Sequence, residues 1–107
     1  PSKFLPEKCT LIPGLICIDH KATGDTIDLV IDNGMAQDLQ NFSISMSGCT
    51  SSVSQSFQDA KQITIHLTDC NNGESGARVK ADINISFKSE SGLSHTEIGQ
   101  LITKVEG

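Results

Sequence analysis

Between Val79 and Lys88 apolar and polar residues alternate without a break: Val79, Ala81, Ile83, Ile85 and Phe87 are set against Lys80, Asp82, Asn84, Ser86 and Lys88. Successive side chains of an extended chain point to opposite faces, so this run predicts a strand with one face buried and the other in water. The same period recurs along the chain. Ile27, Leu29 and Ile31 oppose Asp28 and Asp32; Phe42, Ile44 and Met46 oppose Ser43, Ser45 and Ser47; Ile63, Ile65 and Leu67 oppose Thr64, His66 and Thr68. Residues 15–22 start apolar and become mixed. Residues 94–105 form a last run in which Gly99 predicts a bulge, because the apolar phase shifts between Ile98 and Leu101. Residues 50–60, rich in Ser and Gln, predict a loop or a short edge strand.

Turn residues fall between these runs. Thr23-Gly24-Asp25 predicts a hairpin loop, Asn33-Gly34 tolerates positive φ, Asn71-Asn72-Gly73 with Gly76 makes a flexible connection, and Gly92 closes the last hairpin. With no helical period longer than a turn or two, the reading is all-β: an antiparallel, immunoglobulin-like sandwich of about six to eight strands. At 107 residues the chain is one domain, 1–107, opening on an extended, Pro-rich lead-in over 1–14.

A domain of this size buries only about 60–70% of its unfolded surface, so covalent support matters. Four cysteines supply it: Cys9, Cys17, Cys49 and Cys70. No two are spaced C-x-x-C, which disfavours zinc, and an even count in a short Ser-, Thr- and Asn-rich chain points to disulfides in an oxidising compartment. Of the three possible pairings, Cys9–Cys17 with Cys49–Cys70 asks least of the fold. The first closes a small loop around Pro13 and Gly14, and the second joins two residues that each leave a strand. Chain entropy values them at roughly 2.5 and 3.5 kcal/mol respectively.

The charge balance narrows the partners. Thirteen acidic residues against eight Lys and Arg give a net charge of −5. The basic residues are scattered singly and the chain has no Trp or Tyr, so neither a phosphate-binding stripe nor a base-stacking platform exists. No run approaches the ~20 apolar residues of a membrane span and no leader is visible, so the chain reads as a mature or truncated form.

Nothing assembles into catalysis or metal binding. His20, His66 and His95 lie on three different predicted strands and read as solvent-facing. Asp69, Asn71 and Gly73 imitate the start of a calcium loop, but the twelfth position is Lys80, so they read as a turn. Cys70 lacks the following His and Met of a blue-copper loop, there is no G-x-S-x-G elbow, and a cysteine nucleophile would strand an odd thiol. The chain is therefore read as a non-enzyme without cofactors. Asn41-Phe42-Ser43 and Asn84-Ile85-Ser86 match the N-glycosylation acceptor pattern, and alternation with core residues turns both Asn side chains outward.

The lead-in PSKFLPEKCTLIPGLICIDHKAT, the following TIDLVIDNGMAQDL and Gly48-Cys49 at the end of the next strand together resemble the extracellular part of archaeal type IV pilin-like proteins with class III signal peptides. That resemblance implies a long apolar N-terminal helix preceding Pro1, absent here, which would be the chain's only link to a membrane. It implies a structural role at the cell surface: the head domain of a filament subunit that contacts other copies of itself and mediates adhesion to surface glycans or other cells. Phe4 and Leu5 then become assembly contacts against the head or a neighbouring subunit. Assembly by donor-strand exchange is a further route, disfavoured by the prolines at positions 1 and 6. The competing reading is a secreted, immunoglobulin-like binding or adhesion module, for which Phe4 and Phe57 are the aromatic residues left over once Phe42 and Phe87 are assigned to the core.

Overall fold

The computed structural model describes residues 7–106, and every regular element among them is a strand. In chain order these are β1 (Lys8–Thr10), β2 (Leu15–Ala22), β3 (Ile27–Asn33), β4 (Leu39–Met46), β5 (Ser52–Phe57), β6 (Gln62–Leu67), β7 (Arg78–Lys88) and β8 (Ser94–Lys104). They form two antiparallel sheets, one ordered β1-β8-β7-β4-β5 and the other β2-β3-β6. The pairs β2–β3, β4–β5 and β7–β8 are hairpins, while the connections β3 to β4, β5 to β6 and β6 to β7 pass from one sheet to the other. This is the immunoglobulin-like sandwich predicted by the alternation.

One core lies between the sheets because each long strand turns its apolar phase the same way. Ile27, Leu29 and Ile31 of β3 and Ile65 and Leu67 of β6 face Phe42, Ile44 and Met46 of β4 and the Val79-to-Phe87 set of β7. Fully burying one such aliphatic or aromatic side chain is worth about 1.5–3 kcal/mol.

Both disulfides form as predicted, Cys9–Cys17 and Cys49–Cys70. Each spans the sandwich. Cys9 lies on β1 of the larger sheet and Cys17 on β2 of the smaller, while Cys49 follows β4 and Cys70 follows β6, one from each sheet. Two staples therefore hold the layers together in addition to the core. The sheets meet a third time where Ala22, at the end of β2, runs parallel to Val105 and accepts a hydrogen bond from the backbone N–H of Glu106.

Several local expectations are corrected. Gly99 is not a bulge: β7 and β8 pair without interruption through Ile83–Gly99. The phase never shifts, since Gly99, Leu101 and Thr103 are all buried while Ile98 points to solvent. Gly99 is required for space. A β-carbon there would lie 2.3 Å from the carbonyl oxygen of Thr10, where the chain leaving β1 crosses this strand. The real bulges are in β2, between Cys17 and Asp19, and in β4, between Leu39 and Phe42.

Positive φ after β3 falls on Ala36 rather than on Asn33 or Gly34. Asn33 works through its side chain instead. Its buried amide Nδ2 donates to the carbonyls of Gln37, Phe57 and Gln58, and its Oδ1 accepts from the N–H of Met35. Gly73, Gly76 and Gly92 take the positive φ their turns require. Residues 52–57 of the Ser- and Gln-rich segment are the edge strand β5. Of the lead-in, residues 1–6 lie outside the described residues, residues 8–10 are extended and pair with β8, and the chain then turns over residues 12–14 instead of staying extended.

Candidate functional surface

The histidines do not converge. His66 is exposed on β6 and pairs through Nδ1 with Oδ1 of Asp28, its cross-strand neighbour on β3. His95 is half-buried on β8, stacked on Phe87 with ring centroids 5.0 Å apart. His20 is not solvent-facing, because the β2 bulge adds one residue and reverses the strand's phase. It pairs with Leu29, shares that residue's inward side, and carries a buried Nδ1 without a hydrogen-bond partner. Its Nε2 lies 3.8 Å from Glu7. Among the described residues no group of three His, Cys, Asp or Glu side chains is placed to hold a metal ion.

Asp69, Asn71 and Gly73 form the turn that they resemble. The N–H of Asn71 bonds to Gly48 O and that of Asn72 to Gly24 O, and Asn72 Nδ2 donates to the carbonyls of Thr23 and Thr26. This loop therefore ties together the hairpin Thr23–Thr26 and the turn after β4.

Phe57 is not available to a partner. It is fully buried and meets Phe42 edge to face, with centroids 5.1 Å apart, because Asn33 and the Leu39–Phe57 pairing draw the end of β5 over the core. Phe4 and Leu5 lie outside the described residues.

The outer face of the five-stranded sheet has a distinct chemistry. Cross-strand pairing aligns Ser54, Ser43, Ser86 and Thr96 in one row and Ser52, Ser45, Asn84 and Ile98 in the next. Neither row contains a charge. Asn84 is exposed at the centre of this face, as its alternation predicts. Asn41 is exposed as its alternation with Phe42 predicts, and the β4 bulge, with Asn41 at φ 53°, leaves Gln40 outside the core as well. Asn41 borders two shallow depressions, one lined by Ser86, Lys88 and His95, the other by Ser54, Gln55 and Ser56. Both sequons thus open on the same face.

Large apolar side chains are exposed in two places on the strands. Ile98 sits on this hydroxyl-rich face and is 66% exposed. Ile16 and Ile18, 53% and 51% exposed, flank Cys17 on the edge strand β2. Sequence reading missed all three. Ile98 was legible as the outward residue of an unshifted phase, and Ile16 and Ile18 as the outward residues of the alternation that starts at buried Leu15.

No protein-family model, curated protein or solved structure matches this chain. The two disulfides point to an oxidising, extracellular environment. No helix among the described residues is long and apolar enough to cross a membrane.

Proposed function

We propose that this domain is the head of a type IV pilin-like surface-filament subunit, contributing to adhesion or cell contact. The observation that carries the reading is how the lead-in joins the domain. Within residues 8–17 the chain pairs as β1 with β8, passes over Gly99, and is bonded through Cys9 to Cys17 of the other sheet. Tension arriving from residues before Glu7 would be shared by both sheets. Ile16 and Ile18, exposed beside that junction, offer apolar surface for an adjoining segment or neighbouring subunit. Phe4 and Leu5, the assembly contacts implied by the resemblance, precede the same junction in the chain.

The test is electron microscopy of cells carrying the native gene, labelled with an antibody against residues 1–107. Labelled filaments are expected, and they should be lost or shortened in a Phe4→Ser or an Ile16→Ser/Ile18→Ser strain that still exports the protein. Antigen found only free in the medium, with no labelled filament, would overturn the reading in favour of a secreted binding module. In the gene, an apolar stretch of about twenty codons immediately upstream of Pro1, after a short basic leader, is the corresponding expectation.

A further inference from the structure

We propose that the outer face of the five-stranded sheet carries an N-linked glycan on Asn84, whose first sugar lies over Ile98. Two observations point to it. Asn84 and Ser86, two residues apart on β7, project from the same outward face, giving the acceptor amide and its hydroxyl one shared surface. Ile98 is the direct cross-strand partner of Asn84, so the two β-carbons stand about 4.5–5.5 Å apart. Among the described residues the most exposed large apolar side chain is therefore placed beside the sequon at the centre of the sheet. Elsewhere the two outward rows are built of small hydroxyl side chains, which leave room for a sugar ring lying flat.

The chemistry needs a transferase and a lipid-linked oligosaccharide phosphate or pyrophosphate as co-reactant. The amide nitrogen of Asn84 attacks the anomeric carbon and a carbon–nitrogen bond forms. The anomeric carbon–oxygen bond to phosphate breaks, the lipid phosphate leaves, and the amide gives up one proton to a base of the transferase. The backbone of Asn84 is paired on both sides, with Ser45 and with Ile98, so transfer precedes closure of this sheet. Asn41, in its exposed bulge, carries no such restriction. The face so covered is withdrawn from protein contacts, leaving the β1/β2 side free for assembly.

The experiment is peptide mass spectrometry of the protein purified from cells carrying the native gene. Trypsin releases Asn84 in the short peptide ADINISFK. The expected result is this peptide carrying a glycan mass, and in a Ser86→Ala variant only the unglycosylated counterpart ADINIAFK. Recovery of only the unmodified peptide from the native source overturns the proposal. Cover over Ile98 is read separately by hydrophobic-interaction chromatography of the glycosylated protein and of the same chain made in a host without the transferase. Ile98→Ser should shorten retention of the bare form and leave the glycosylated form nearly unmoved. Equal shortening in both forms would refute the contact with Ile98 while leaving the attachment at Asn84 standing.

Discussion

The carbonyl oxygen of Thr10 occupies the space that a side chain at Gly99 would need: a β-carbon there would approach it to 2.3 Å. The oxygen is backbone and a β-carbon is fixed by the backbone that bears it, so neither can rotate away. Gly99→Ala is expected to lift the lead-in from the sheet and to destabilise the domain by about 1–3 kcal/mol, the range of overpacked sites. Urea unfolding measures the loss, and hydrogen exchange should show the amides of β1 losing protection before those of β7.

Asn33 is predicted to be the most sensitive polar residue of the core. It is 2% exposed and satisfies three carbonyls and one N–H from the loops on either side. Each buried group left without a partner costs about 1–3 kcal/mol, so Asn33→Ala should lower stability by at least ~3 kcal/mol in denaturant melts. Asn33→Asp keeps the shape but aims a carboxylate at three carbonyl oxygens. Burial and repulsion raise its folded-state pKa above the unfolded value. The Asp variant is therefore least impaired below the unfolded pKa and loses stability as pH rises through the folded one. Thermal melts between acidic and neutral pH check the sign.

The two staples should differ in worth. Replacing Cys49 and Cys70 by Ala is expected to cost roughly 3.5 kcal/mol and replacing Cys9 and Cys17 roughly 2.5 kcal/mol, since the longer loop restricts the unfolded chain more. Without reduction, trypsin should yield residues 9–21 as a peptide lighter by two hydrogens, and residues 22–61 bonded to residues 62–78. Any other linkage contradicts the pairing.

Phe57→Ala should cost about 3–5 kcal/mol, as expected of a buried aromatic residue rather than of a ligand-binding one. A double-mutant cycle with Phe42→Leu should leave a coupling of about 0.5–1.5 kcal/mol from the edge-to-face contact. A Phe57→Ala protein of unchanged stability would show that β5 is not held as described.

Alternation, turn chemistry and cysteine spacing pointed to six of the eight strands, to the sandwich and to both disulfides, because a period of two leaves each strand only one way to face a core. Strand β1 lay within the lead-in, and β5 was read as a loop or a short edge strand. The outward positions of Asn84 and Ser86 followed from the same period. What needed the tertiary structure were the places where the period breaks or where distant backbone intrudes. The β2 bulge reversed His20, the β4 bulge turned Leu39 inward and Gln40 outward, and the end of β5 carried Phe57 inward under the hydrogen bonds of Asn33. Gly99 was visible as a glycine in a strand, but whether it marked a bulge or a close approach depended on Thr10, 89 positions earlier in the chain. Local sequence records which face a residue prefers. Which segments lie across that face, and whether an extra residue slips the register, is decided only when the two sheets close on each other.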